Sequence, residues 1–428
     1  MNSKVREVTL ASMKKICWLL ILGWTVTSCA SHLIETQALV ENMMKKHPSK
    51  FRSILKNRDT LEVQIIYTQI NRDSLNRPHF RSFYFHVDST KYFYPASTVK
   101  LPIALLALEK LNRLNIKGLD KFTPMYNDSV YSGQFSVKKD TTSESGKPSA
   151  AHYTKKILLV SDNDASNRLY EFVGQKDVNA SLKSKGYNMR ILHRLERPLK
   201  PDQNRHTEAV RFINNDTIVY SQPMLVNEDS IKPPRRVFKG VGYMKNDSML
   251  VKQPLDFTYK NFYPIQEQQE VLKAILFPTS TDRKRTFDIS EEDRKFVMKY
   301  MSQRPGETKF PAYYKDRNYF DAYCKFLMYG DGKRAIPTNI RIFNKVGDAY
   351  GYLLDNAYIV DFDKGIEFML SAVINTNLDG VYNDGKYAYH KLGYPFMKNL
   401  GRVVYQYEVK RKRQRKPDLS EFKLKYDQ

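Results

Sequence analysis

A serine and a lysine three residues apart, Ser97 and Lys100, open the apolar run of YFYPASTVKLPIALLALEKLNRL. On a helix this spacing puts both side chains on one face, within reach of each other. A serine hydroxyl is a weak nucleophile until a base takes its proton. A lysine held out of water can have its pKa lowered far enough to be that base. The pair therefore has the parts of an acyl-transfer nucleophile. Alone it also fits a plainer reading, a helix start with a capping serine and a solvated lysine.

Two further stretches separate these readings. Ser161-Asp162-Asn163 follows the apolar run ILLV and precedes the helical pattern DASNRLYEFVG. Lys345-Val346-Gly347 follows the strand-like IRIFN and precedes a hairpin pattern, AYGYLLDNAYIVDFDKGIEFMLSAVINT. The order Ser-x-x-Lys, Ser-Asp-Asn, Lys-x-Gly is that of class A β-lactamases and penicillin-binding proteins. The chain resembles the class A β-lactamase-like serine hydrolases, over roughly residues 35 to 408. By that resemblance Ser97 is the acylated nucleophile and Lys100 its base, while Ser161 relays a proton to the leaving amine. Asn163 would hydrogen-bond the substrate's amide, and Asp162 would hold its turn. Lys345 would supply positive charge to a substrate carboxylate and to Ser161. Gly347 would let the substrate approach the strand closely. The backbone N–H groups of Ser97 and Asp348 would form the oxyanion hole.

Two positions depart from the pattern. Val346 stands where the family has a hydroxyl that bonds a substrate carboxylate. In HRLERPLKPDQNRHTEAV, Arg194-Leu195-Glu196-Arg197 resembles the opening of the family's omega loop, but Leu199 replaces the glutamate that activates the deacylating water. Glu196, Asp202 and Glu208 are the nearby carboxylates that could substitute. Without such a group, acylation proceeds and hydrolysis stalls.

The elements that must position these residues read as an α/β chain of the α+β kind. Residues 33 to 57 pattern as an amphipathic helix. LEVQIIYTQI and HFRSFYFHVD alternate as two strands around the turn region NRDSLNRP. The nucleophile helix runs from Ala96 to Leu114, and residues 120 to 192 read as several helices around Ser161. Helices follow at 264 to 278 and 290 to 302, the second capped by Ser290. Strands span 339 to 376, and a last helix spans 387 to 404. The expected architecture is an antiparallel sheet flanked by helices plus an all-helical subdomain, with the site between them. An insertion at about 201 to 260 reads as a β-rich subdomain or flap, with turns at Asn214-Asn215-Asp216 and Lys245-Asn246-Asp247.

The ends point to a location. Lys14 and Lys15, the apolar run ICWLLILGWTV and the small residues VTSC read as a signal peptide over 1 to 28. They resemble a bacterial lipobox, with Cys29 as the lipidated residue of a periplasm-facing, membrane-anchored lipoprotein. The run is too short to span a bilayer comfortably. The domain then covers 29 to 408, followed by a basic tail at 409 to 428. Cys324 is the only cysteine after Cys29, so no intrachain disulfide is expected, and it reads as a small buried hydrophobe. No Cys/His spacing suggests a metal, and no cofactor is implied. The formal charge of +24 is spread along 428 residues. With no nucleic-acid recognition motif, it fits anionic lipid or acidic cell-wall material, the tail KRKRQRK being either such a contact or simply solvated. The expected substrate is a β-lactam or peptidoglycan-like amide. Three functions follow: a serine hydrolase acylated by β-lactams with slow turnover, a cell-wall peptidase of the same superfamily, or a lipid-anchored binding protein without turnover.

Cys29→Ala is expected to leave an unprocessed, unlipidated precursor. Precursor size and detergent partitioning of membrane fractions check this; normal processing of the variant would remove the lipobox reading.

Overall fold

Apolar alternation along QIIYTQINR builds the first strand of a five-stranded antiparallel sheet: β1 (Gln64–Arg72), β2 (Pro78–Phe85), β3 (Ile340–Ala349), β4 (Tyr352–Asp361) and β5 (Ile366–Asn375). The computed structural model describes residues 38–131, 135–197, 199–229, 231–246 and 248–427. The segment read as a signal peptide, with Cys17, and the lipidation position Cys29 expected from the sequence lie outside these residues.

The strand order is β3-β4-β5-β1-β2, so the ends of the chain meet in the middle of the sheet. β1 pairs with β5 through Gln64↔Val373 and with β2 through Ile65↔Phe85. Between β1 and β2, Asp73 accepts the N–H groups of Leu75 and Arg77, each at 2.9 Å, and closes the expected turn. Between β3 and β4, Tyr350 and Gly351 both take positive φ, 54° and 82°. That is the two-residue turn whose twist matches a hairpin.

Every residue of β4 and β5 is buried, because helices cover both faces of the sheet. On one face Phe343, Tyr358 and Met369 pack with Leu101 and Leu105 of the nucleophile helix and with Leu272 and Met298. On the other, Ile65, Tyr67, Ile342 and Val346 pack with Phe51, Met397 and Leu400. A third cluster joins Tyr92, Phe93 and Tyr94, just before Ser97, to Phe257, Tyr352 and Tyr382. The nucleophile helix, Lys100–Leu114, is apolar nearly all round and buried accordingly. The helices Ala150–Val160, Asn163–Val173 and Gln175–Ser184 surround it. Ile265–Leu276 and Glu291–Ser302 sit as expected, and the Ser290 hydroxyl accepts from the Asp293 N–H at 3.0 Å.

Several expectations are corrected. The single helix at 33 to 57 is two within the described residues, 38–45 and Pro48–Lys56. Pro48 cannot continue the first, and it forces His47 out of helical geometry. The described residues of 120 to 149 are not helical; they hold the strand Met125–Asp128 and turns. The middle of the chain is therefore not all-helical. The last α-helix runs Tyr394–Lys410, entered through a π-turn at Tyr389–Gly393, with a proline at its start.

The insertion is β-rich but divided. Ala209–Asn214 and Thr217–Gln222 form a hairpin turning at Asn215 and Asp216, φ 47° and 58°, and join Met125–Asp128 in a three-stranded sheet on the helical side. The later part, Gly242–Lys245 with Met249–Val251, turns at Asn246, φ 53°, and pairs in parallel with Val381–Tyr382.

The chain after Lys410 does not leave the domain as a tail. Leu419 and Phe422 are buried, and Phe422 meets Phe277, Phe343 and Tyr358. Asp427 pairs with Lys155 and Lys299.

Candidate active site

Ser97 sits in a 3-10 turn, Ala96–Val99, that runs directly into the helix at Lys100. Ala96 takes φ 48°, a strained value for a residue with a Cβ. The Thr98 hydroxyl, 2.7 Å from the Pro95 carbonyl, secures the turn from inside. Ser97 is half-buried and lines a cleft of about 1440 Å³.

Lys100 is fully buried. Its Nζ donates to the Ser161 carbonyl and, at 3.3 Å, to Ser161 Oγ. Ser161 ends one helix in the left-handed region, φ 60°. Asp162 begins the next by accepting the Ala165 N–H at 2.8 Å, the turn-holding role expected of it. From the sheet, Lys345 Nζ donates to Ser161 Oγ and to the Val346 carbonyl, each at 2.8 Å. The three motifs thus converge, and the Ser161 hydroxyl lies between two lysines.

Those nitrogens are at most about 6 Å apart by their shared partner, and two unit charges there repel by roughly 3 kcal/mol at an effective dielectric of 20. Burial and the neighbouring Lys345 charge drive the Lys100 pKa well below its ordinary value. Burial brings Lys345 down to about 8, with Cys324 and Asp348 opposing the fall. Of the two lysines on this hydroxyl, Lys100 is thus the one pushed toward the neutral amine, and Lys345 keeps its charge at neutral pH.

β3 is an edge strand, so alternate backbone groups face away from β4. A Cβ on Gly347 would lie 2.9 Å from the Ser97 nitrogen and 3.0 Å from the Pro95 carbonyl oxygen. Gly347 therefore admits the nucleophile turn itself against the strand, a closer constraint than the substrate approach expected of it. Asp348 and Asn163 line the same cleft as Ser97. The Asp348 carboxyl touches solvent but is walled in by protein, and this burial raises its pKa. Val346 points the other way, 2% exposed in the core beneath the sheet. A hydroxyl there would need a partner among apolar side chains, which accounts for the valine.

The loop after Arg194 is pinned. Asn167 accepts the Leu195 N–H at 3.0 Å and donates to the Leu195 carbonyl at 2.9 Å. Arg197 pairs with Asp164, and Asn204 donates to the Leu199 carbonyl. Leu199 lines the cleft. Of the three substitute carboxylates, only Glu196 shares that lining. Asp202 is spent at the surface on Tyr131 and Arg205. Glu208 is fully buried away from the cleft, accepts the Val130 N–H at 3.1 Å, and is pushed up to about 7 by burial and the Glu171 charge.

Sequence reasoning missed the support behind Lys345. Lys325 Nζ donates to Asn344 at 2.7 Å, Asn344 donates to Asp355 at 2.7 Å, and Asp355 accepts the Leu327 N–H at 2.9 Å. Burial pushes the Asp355 carboxyl up and the Lys325 ammonium down. The signal was Asp355-Asn356 interrupting the apolar run of β4. Cys324 is a buried free thiol in a turn, pushed up to about 11 by burial. Also missed was an aromatic wall: Tyr94 stacks on His193 and meets Tyr350 edge-on, and Lys260 donates to the Tyr350 hydroxyl at 3.1 Å. Burial lowers the His193 pKa to about 4, so its ring is neutral. Among the described residues no group of three or more His, Cys, Asp or Glu is placed to hold a metal ion.

A family model described as the beta-lactamase enzyme family matches residues 49–222, a β-lactamase-like stretch that includes Ser97, Lys100, Ser161 and Asn163. Among solved structures, a β-lactamase from Xanthomonas campestris is 13% identical, covering 86% of this chain and 98% of its own, with a TM-score of 0.46. One from Sphaerobacter thermophilus is 12% identical over 86% and 98%, with a TM-score of 0.45. A PBP-A mutant, solved as an acyl-enzyme complex with penicillin G, is 15% identical over 87% and 97%, with a TM-score of 0.43. No curated protein matches the chain.

Asp162→Ala should lower unfolding free energy by about 0.5–2 kcal/mol, the usual loss for a helix cap. Asp162→Asn, which keeps an acceptor, should recover most of it. Denaturant titration reads both, and equal losses would show that the cap is not what Asp162 provides.

Proposed function

We propose that this β-lactamase-like chain is a serine hydrolase that forms an acyl-enzyme with a β-lactam or related amide. The observation that carries this reading is the Ser161 hydroxyl held between Lys100 and Lys345, with Ser97 in the turn that leads into Lys100. Ser97 Oγ attacks the carbonyl carbon while its proton passes to the neutral Lys100 amine. The C–N bond breaks, and the leaving nitrogen takes a proton through Ser161. The developing oxyanion is met by the N–H groups of Ser97 and Asp348. Asn163 orients the amide, and the Lys345 cation holds Ser161 and attracts a substrate carboxylate. With Leu199 at the loop position and, of the three substitute carboxylates, only Glu196 in the cleft, water activation is weak and the acyl-enzyme is long-lived.

A second reading has one observation in its favour. Small-molecule sites commonly enclose about 300–1,000 Å³. This cleft holds about 1440 Å³ and is walled partly by the insertion through Met244, Asn246 and Asp256. That size suits an extended peptide, the substrate of a cell-wall peptidase.

Fluorescent penicillin should label the wild type, and Ser97→Ala should take up no label. Lys100→Ala should slow labelling by about two to four orders of magnitude, the usual contribution of a general base. Intact-protein mass spectrometry should show an adduct outlasting the free drug, and Leu199→Glu should shorten its life. Labelling that persists in Ser97→Ala would overturn the assignment, and rapid cephalosporin turnover by the wild type would overturn the stalled hydrolysis.

The acylation rate should be bell-shaped in pH. Its acid limb is protonation of Lys100, whose depressed pKa keeps it neutral at higher pH. The alkaline limb falls through about 8, as Lys345 loses its charge. Lys345→Arg should keep the cation and move that limb upward. A rate level through and above pH 8 in the wild type would show that the cation is not needed.

A further inference from the structure

At the opposite edge of the sheet from Ser97, a second cavity of about 500 Å³ is formed by β1, β2, the helix 38–45 and the end of the closing helix. Its wall carries six cationic side chains: Arg72, Arg81, Arg411, Lys412, Arg413 and Arg415. Among the described residues no carboxylate lines it. Two carboxylates stand behind the wall. Glu367 takes Arg72 in a two-pronged contact, 2.7 Å on each arm. Glu408 is shared by Arg411, at 2.9 Å, and Arg413, and also accepts the Tyr67 hydroxyl. Six positive charges therefore face two negative ones.

Burial and the neighbouring Arg411 charge lower the Arg413 pKa, the direction expected where cations crowd without enough anion. The exposed Lys412 and Arg415 leave positive charge at the rim that an incoming oxyanion would offset. Guanidinium groups match the oxygens of a phosphate in two-pronged contacts, and the volume suits one small headgroup.

We propose that this cavity binds a phosphate group, supplied by an anionic lipid headgroup or by a soluble phosphate. The residues read from sequence as a loose basic tail are folded into its wall. Ala38, at its rim, is nine residues from Cys29. That length of chain spans at most about 30 Å, which brings a bilayer reached through Cys29 within range of the cavity. Three strands separate β2 from β3, so the cleft lined by Ser97 lies at the other edge of the sheet from a surface held here.

The test uses the full-length protein in non-ionic detergent, with thermal unfolding followed at constant ionic strength. Titrants are sodium pyrophosphate, dihexanoyl phosphatidylglycerol and dihexanoyl phosphatidylcholine. A saturable rise in midpoint with pyrophosphate and phosphatidylglycerol, but not phosphatidylcholine, is expected. A rise with phosphatidylglycerol alone assigns the lipid source, and one with pyrophosphate alone assigns a soluble phosphate. Lys412→Gln combined with Arg415→Gln, both exposed positions, should weaken the binding by about tenfold. Penicillin labelling of Ser97 should be unchanged in that variant, which keeps this proposal separate from the reading of the cleft. No saturable shift, the same shift from all three titrants, or an undiminished shift in the variant would overturn it.

Discussion

Burying two lysine side chains against one serine hydroxyl is the constraint on which the rest of the structure depends. Neither amine would enter a dry interior without partners, and water would otherwise compete for both. Three separate pieces of backbone meet to make the arrangement. A 3-10 turn feeds Lys100 into a helix that is apolar on nearly every side. A left-handed break at Ser161 turns that residue's hydroxyl and carbonyl toward Lys100. The outermost strand of the sheet then brings Lys345 to the same oxygen. The close approach at Gly347 links the last of these pieces to the first.

The surrounding architecture serves that meeting. The sheet needs helices on both faces because its inner strands carry no polar face. The helical side supplies Ser161, and the far side supports β3 through Asn344 and Asp355. The insertion is not one appendage. Its first hairpin completes a small sheet against the helical side, while its later turns reach the cleft.

Most of this was legible in the chain wherever local pattern and tertiary role agree. The strands around Asp73, the nucleophile helix, the Ser290 cap and the turns at Asn215 and Asn246 follow from alternation, apolar runs and turn residues, and each occurs where those signals lie. Residues 120 to 149 misled because a short strand, Met125–Asp128, acquires its partner only from residue 209 onward. Val346 read as a lost hydroxyl because strand alternation was not applied at that residue; its neighbours face the site and it faces the core. Lys325, Asn344 and Asp355 escaped notice because charged and polar residues far apart in sequence carry no sign of being buried together. The basic run after Lys410 looked solvated because its charge hid the apolar residues, Leu419 and Phe422, that follow it.

That last segment runs from the sheet to the helical side. Phe422 is wedged among Phe277, Phe343 and Tyr358, Tyr426 lies against the Arg341 guanidinium of β3, and Asp427 grips Lys155 of a helix on the Ser161 side. Swinging the two layers apart would require extracting the wedge and breaking the grip together. The segment acts as a strap between the two layers. It resists their separation, so the width of the cleft beside Ser97 is tied to the packing of the chain's last residues, and the variable part of its entrance is the aromatic wall and the later turns of the insertion.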